Sequence, residues 1–343
     1  MRAAILGAGS LGAGMGAMIT NAGGKIDLID GYKAHVEAIN QNGVKVTGLM
    51  EMQARMAAYT LEDIEGMYDI VIYLAKGPNN STYLPAILPH LHKDSVFCVL
   101  QNGLPDDDVA KYIGWDRMIG GFVLWGASLT QPGVTNVTTG GGKAVYEIGE
   151  FDGKMTPRLA AVNDLMNKGA ECTMIDNLMA GRWTKINMNA PMSGLSAALG
   201  CTYGDILAND TTLTSAVQIK SEVVKVAHAM GLTLLTVMGV DFDAFELRSK
   251  DDYARTKKIT QEYYTPHSAV IASMLFDLRL GRSTEIDIIN GAVSAKGREL
   301  GIETPFNDEV VALVKQAQRE KSVPNFDNIQ NFEKLVAQAE SRL

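Results

Sequence analysis

Ala3-Ala4-Ile5-Leu6-Gly7-Ala8-Gly9-Ser10-Leu11-Gly12 opens the chain with an apolar run that ends in the pattern GxGxxG, and the residues from Leu11 to Asn21 continue as a helix. A glycine pattern of this length arises by chance in a chain with 34 glycines, and by itself it denotes a tight turn. Here it follows one strand, starts a helix and precedes a second strand at Ile26 to Ile29, so it lies in a βαβ unit, the context that dinucleotide binding requires. Gly7 permits the sharp turn, Gly9 lets the backbone approach a pyrophosphate, and Gly12 lets helix and strand pack closely. The free amides at the helix start, those of Ser10 and Leu11, then face the phosphates.

Residues 3–24 carry no charge and follow Arg2, which imitates a secretory leader. Gly7, Gly9, Gly12, Gly14 and Gly16 fall inside what would be its apolar core and weigh against that reading. Asp30 ends the second strand, 18 residues after Gly12, the spacing of an acid that accepts hydrogen bonds from the adenosine ribose. A carboxylate there repels a 2′-phosphate, which predicts NADH in preference to NADPH. An ordinary strand-end acid would look the same, and Lys33 is near enough to offer a phosphate partial compensation, so NADP stays within reach.

Lys33 to Gln41 reads as a helix stopped by Asn42-Gly43, while Asp69 to Ala75 and Ser95 to Leu100 are β-branched runs without polar alternation, as in strands covered on both faces. The fold class is α/β, an N-terminal doubly wound parallel sheet. From Met118 to Glu150 the strand pieces are broken by Gln131-Pro132-Gly133 and Gly140-Gly141-Gly142, the punctuation of antiparallel hairpins at a sheet edge. The sheet domain spans 1–177. Beyond it the patterns are helical: Leu178 to Leu199, Thr211 to Met230, Asp251 to Leu280, Thr284 to Leu300 and Asp308 to Arg319. An all-helical C-terminal domain, 178–343, follows, with one amphipathic stretch, Ile329 to Ala339, in its tail of 322–343.

The 31 Lys and Arg against 39 Asp and Glu give a net charge of −8, which leaves no basic footprint for nucleic acid or an anionic membrane. No glycine-free apolar run is long enough to span a bilayer. Cys98, Cys172 and Cys201 are odd in number and lack CxxC spacing, which fits a reducing, cytoplasmic setting without a zinc framework. The five histidines show no ligand spacing, so no metal is expected.

Lys185, Asn189 and Ser193 recur every four residues in largely apolar surroundings and share a helical face. Such a stripe suits a polar site in which a desolvated lysine, its pKa lowered, donates a proton, and it equally suits a lysine snorkelling from a surface helix. Pro191 is expected to kink this helix. Thr284 and Asp287 are spaced as a capping box, which puts Glu285 in a first helical turn, where an acid needs no catalytic reason to be.

The dinucleotide turn, Lys76 after DIVIYLA, Gln101-Asn102-Gly103, Lys185 with Asn189 four residues on, and Ser273 followed by Ser-Thr-Glu-Ile-Asp-Ile-Ile-Asn-Gly (283–291) together resemble the ketopantoate reductase family over residues 1–310. The resemblance implies a Rossmann domain followed by a helical one, and NAD(P)H-dependent reduction of 2-dehydropantoate (ketopantoate) to pantoate. It makes Lys185 the general acid, has Glu285 orient substrate and lysine, and puts Asn102, Asn189, Ser193 and Ser273 at the substrate, with Lys76 and Asn102 at the cofactor. Three positions depart from the family pattern: Asp30-Gly31 where NADPH-dependent members have Arg, Ser193 where a second Asn is common, and Val270 where another Asn precedes Ser273 by three. An amide that binds the ketopantoate 4-hydroxyl has no counterpart in valine, which keeps open a D-2-hydroxyacid dehydrogenase acting on branched or aromatic 2-oxo acids. A non-catalytic dinucleotide sensor is the alternative of another class, and apolar helices in the second domain suit a homodimer.

Overall fold

The computed structural model describes residues 1–138 and 144–341, so Gly140-Gly141-Gly142 lies outside the described residues. Two compact units divide the chain: Met1–Gln101 with Pro105–Leu178, and Asn102–Leu104 with Met179–Leu343.

The first unit contains strands β1 (Ala3–Leu6), β2 (Asp27–Ile29), β3 (Val44–Gly48), β4 (Met52–Ala54), β5 (Ala58–Tyr59), β6 (Tyr68–Tyr73), β7 (Leu91–Val99), β8 (Met118–Val123), β9 (Ala127–Gln131), β10 (Val134–Val137), β11 (Val145–Gly149) and β12 (Glu171–Met174). Its helices are α1 (Ser10–Asn21), α2 (Lys33–Asn42), α3 (Asn80–Ile87), α4 (Asp106–Ile113) and α5 (Pro157–Met166). Eight strands form one sheet in the order β12-β11-β8-β7-β6-β1-β2-β5. From β5 to β8 every neighbouring pair is parallel. The apolar runs of β1 and β6 are buried almost throughout, because helices cover both faces and leave no solvated side to alternate toward.

The segment after Met118 differs from the expected edge hairpins. β8 is parallel to β7 inside the main sheet, and β11 returns antiparallel to it. The hairpin at Gln131-Pro132-Gly133 joins a separate four-stranded sheet, β4-β3-β10-β9, in which β10 runs parallel to β3. Polar anchors draw it there: the Gly133 amide donates to His35 on α2 at 2.9 Å, and the Thr135 hydroxyl donates to the Ser10 carbonyl at 2.8 Å.

The second unit is built from α6 (Leu178–Asn189), α7 (Leu195–Leu199), α8 (Tyr203–Ala208), α9 (Asp210–Ala229), α10 (Lys250–Tyr264), α11 (Ser273–Arg279), α12 (Asn290–Leu300), α13 (Pro305–Glu320) and α14 (Ile329–Glu340). Helix α9 is largely buried, with α10, α12, α13 and α14 packed around it. Pro191 does interrupt the long helix: a π-turn at Ala190–Gly194 separates α6 from α7. The pattern from Asp251 to Leu280 is two helices rather than one, parted after Tyr264 by a 3-10 turn that carries Pro266, whose ring removes an amide. The unit also holds a small hairpin, β13 (Thr236–Val237) with β14 (Val240–Asp241). Met238 and Gly239 take φ of 52° and 79°, as the tightest hairpin turn demands. Among the described residues no helix is long and apolar enough to cross a membrane.

Candidate active site

The glycine-rich turn connects β1 to α1 in the first unit. Gly7 has φ of +93°, and a Cβ there would lie 2.2 Å from the Ala75 nitrogen, so only glycine fits between β1 and the end of β6. A Cβ on Gly12 would lie 2.4 Å from the Gly7 carbonyl oxygen. Gly9 differs from both: an added Cβ would meet nothing within 4 Å. Its bare backbone faces open space beside the first-turn amides of Ser10, Leu11 and Gly12, which lack acceptors within the helix. That is the surface an anionic pyrophosphate needs, so these residues fit a dinucleotide.

Two interactions hold the turn in place. The Gly7 and Ala8 amides donate to the Ile29 carbonyl at the end of β2. His35, fully buried on α2, accepts from the Gly133 amide through Nδ1, so its Nε2 carries the proton and donates to the Ala8 carbonyl at 2.8 Å. Lys76 is exposed immediately after Ala75, beside the turn.

Asp30 follows β2 and is 8% exposed. One carboxylate oxygen accepts from the Tyr32 amide at 2.8 Å and from the Tyr83 hydroxyl at 3.4 Å, while Tyr83 accepts from the Gly31 amide at 2.9 Å. Burial pushes the Asp30 carboxyl upward, and hydrogen bonds to its charged form oppose that. Lys33 stands at the start of α2. Tyr83, on α3, has no signal in the sequence that links it to Asp30.

In the second unit α6 is buried nearly all round. Lys185, Met188, Asn189 and Ser193 are the half-buried positions on the stretch 182–199, so the stripe expected from the four-residue spacing opens toward solvent. Burial lowers the Lys185 pKa to about 8. Among the described residues its ammonium forms no ion pair, in contrast with the fully buried Trp183 and Ile186 on its flanks, which are core. The Ser193 hydroxyl is bonded to the Tyr203 hydroxyl at 2.9 Å.

Three other segments converge on this helix. Asn102–Leu104 docks against the turn after Glu285: the Leu104 amide donates to the Ile288 carbonyl at 2.9 Å, and a Cβ on Gly103 would lie 2.0 Å from that same oxygen. Arg182, one turn before Lys185, donates to the Gly103 carbonyl at 3.4 Å. The expected capping box at Thr284 is absent. The Thr284 hydroxyl donates to Gln318, Asp287 pairs with Lys315, and Glu285 precedes a 3-10 turn at Ile286–Ile288. Glu285 is therefore no first-turn helix acid; it is a carboxylate only 6% exposed. Ser273 is exposed at the start of α11, which is tied to α7, the continuation of the lysine helix beyond the π-turn, because the Ala272 amide donates to Ser196 at 3.3 Å. Val270, also tied in, accepts from the Tyr203 amide through its carbonyl.

The order of these parts along the chain matches known proteins. The family model described as ketopantoate reductase PanE/ApbA matches residues 3–153, and its C-terminal counterpart matches 177–318. A 2-dehydropantoate 2-reductase of Pyrococcus horikoshii is 29% identical over 92% of this chain and 97% of its own length. One from Streptococcus pyogenes is 29% identical over 90% and 95%. Among solved structures, 2-dehydropantoate 2-reductase from Geobacter metallireducens superposes with a TM-score of 0.78 at 27% identity, covering 92% of this chain and all of that one. D-mandelate dehydrogenase with NADH and anilino(oxo)acetate has the same TM-score at 24% identity, covering 94% and 99%, and so shares the fold. With both family models matched in succession, and a glycine turn and a lysine stripe standing where each unit needs them, the chain belongs to the ketopantoate reductase family.

Proposed function

We propose that the protein reduces a 2-oxo acid to the 2-hydroxy acid with a nicotinamide dinucleotide, ketopantoate to pantoate being the first choice of substrate and NADH the preferred cofactor. Gly7, Gly9, Ser10, Leu11, Gly12, Asp30, Lys76 and Asn102 hold the dinucleotide. When bound, its reduced nicotinamide supplies hydride to C2 of the substrate. Lys185 stabilises the negative charge developing on the carbonyl oxygen and gives that oxygen its proton. Glu285 orients the substrate and Lys185, and Asn102, Asn189, Ser193 and Ser273 bind the substrate. The observation that carries this reading is the half-buried Lys185 in an otherwise apolar helix, its pKa drawn down to about 8. A lysine merely covering surface would keep its ammonium fully solvated. The cytoplasmic setting and a homodimer belong to the same reading.

Incubating the protein with NADH and a panel of 2-oxo acids while following nicotinamide absorbance tests the proposal directly. Turnover of none of them would leave a dinucleotide-binding module. The acid also sets a pH dependence. Only the ammonium form can donate, so kcat for reduction should be flat below pH 8 and fall above it by about tenfold per pH unit. A rate that holds level to pH 10 would remove Lys185 as the donor.

The second reading, a D-2-hydroxyacid dehydrogenase for branched or aromatic 2-oxo acids, is favoured by Val270 and by Ser193, whose hydroxyl is already engaged by Tyr203. It predicts a permissive pocket in which 2-oxoisovalerate competes well with ketopantoate. A site that binds the 4-hydroxyl through amides rejects the analogue lacking it by about 10,000-fold. Measured kcat/KM ratios near that value would retire the second reading.

A further inference from the structure

Pro191 has no amide hydrogen, so the carbonyl of Asn187, four residues earlier, has no α-helical donor. Lys220 on α9 supplies one. Its Nζ donates to the Asn187 carbonyl at 3.1 Å and to Asn187 Oδ1 at 3.2 Å, and the Asn187 amide group donates back to the Lys220 carbonyl at 2.9 Å. Two carbonyls further along also accept from side chains: Tyr264 donates to Met188 at 2.7 Å, and Asn290 donates to Ala190 at 3.1 Å. Helices α9, α10 and α12 thus hold the end of α6 where it passes into the π-turn. That turn starts directly after Asn189 and contains Ser193, two residues of the half-buried stripe.

Lys220 is 1% exposed, and the rings of Phe245, Phe242 and Tyr264 lie 4.3, 5.2 and 5.4 Å from its nitrogen. Among the described residues no carboxylate forms an ion pair with it. Burying an ammonium in that way is costly, and the two hydrogen bonds to Asn187 return only part of that cost. The residue needs a reason other than stability.

We propose that Lys220 is a positioning residue for the candidate active site: its side chain takes the place of the amide that Pro191 lacks and fixes the π-turn that sets Asn189 and Ser193 on the face of Lys185. The inference rests on the 2-oxo acid reductase reading for its consequence in turnover. Its structural half is independent of that reading.

The test is a double-variant cycle in the full-length protein. Lys220→Met keeps the side-chain length and removes the donor. It should lower kcat for the 2-oxo acid by about tenfold or more, because small displacements of positioning groups are costly in rate. The melting temperature should fall only modestly, because relief of the buried ammonium offsets part of the cost of the acceptors left at Asn187, and the KM for NADH should stay within about twofold. Pro191→Ala restores an amide opposite the Asn187 carbonyl, so in that background Lys220→Met should cost less than about twofold. Equal losses in both backgrounds, or wild-type kcat in Lys220→Met, would overturn the proposal. If Lys220→Met alone does not fold while Lys220→Met/Pro191→Ala does, the substitution of ammonium for amide stands; if neither folds, Lys220 is core and the proposal fails. Amide hydrogen exchange of residues 192–195 gives a readout that needs no turnover. It should quicken by about tenfold in Lys220→Met and return in the double variant, and unchanged exchange overturns the proposal. A wild-type protein that reduces no 2-oxo acid would defeat the functional reading and leave this measurement decisive for Lys220.

Discussion

Replacing Lys185 by alanine should lower kcat for 2-oxo acid reduction by about 100- to 10,000-fold, the range lost with a positioned acid. NADH affinity should be nearly intact, because the glycine turn and Asp30 belong to the first unit and Lys185 to the second. Fluorescence titration with NADH beside steady-state turnover separates the two. Stability should change little: among the described residues the Lys185 ammonium forms no ion pair, so alanine leaves no buried charge without its partner. Lys185→Arg should not recover the rate. A guanidinium stays protonated across the whole working range and is a poor donor, whereas the lysine's pKa of about 8 is matched to the task. A folded Lys185→Ala enzyme retaining more than about a tenth of the wild-type rate would mean that the stripe is a snorkelling surface after all.

How far the sequence exposes this architecture depends on whether a feature is local. The β1-turn-α1 junction is legible because its glycine spacing is itself local: Gly12 packs against Gly7 and Gly9 leaves open space, although the close neighbour that requires Gly7 is Ala75, beyond β6. The lysine stripe is legible because four-residue spacing projects onto one face whatever packs behind it. The hairpin at Gln131-Pro132-Gly133 is read correctly as a turn and placed in the wrong sheet. Its destination is decided by His35 and Ser10, each more than 90 residues earlier in the chain. Glu285 fails for a similar reason. The spacing of Thr284 and Asp287 satisfies the capping rule, but Gln318 and Lys315 on α13 claim both side chains, and the local motif loses to tertiary partners.

The supporting shell escapes sequence reading almost wholly. His35 has no ligand spacing, yet its two ring nitrogens join the dinucleotide turn to the second sheet. One signal was available: it falls on the same buried face of α2 as Val36 and Ile39, where a polar side chain requires partners. Glu222 is a comparable case on α9, accepting from the amides of Phe306 and Asn307 while burial raises its pKa to about 7. Lys220 and Glu222 both sit in an apolar-rich helix and read as interruptions of its core face. Each is instead the donor or acceptor that a helix end cannot find in its own backbone.

The cofactor prediction draws on the same contrast between local motif and tertiary support. NADH should be preferred over NADPH, and Asp30→Ala should shift the ratio of their kcat/KM values toward NADPH by about 100-fold, since placing like charges together costs several kcal/mol. Asp30 is well held for this role: the Tyr32 amide and the Tyr83 hydroxyl fix one carboxylate oxygen, and hydrogen bonding to the charged form offsets part of its burial. Adding a cation at Gly31 is a poorer route than removing the acid. A Cβ there would lie 3.0 Å from the Tyr83 hydroxyl, so Gly31→Arg must displace the group that orients Asp30, and it should impair NADH use before it helps NADPH. Tyr83→Phe separates the contributions, because it frees space at Gly31 and leaves the Asp30 charge in place; it should weaken NADH binding without raising NADPH use. If the unmodified enzyme already uses NADPH more efficiently than NADH, Asp30 does not face the ribose, and Lys33 rather than the carboxylate governs the end of β2.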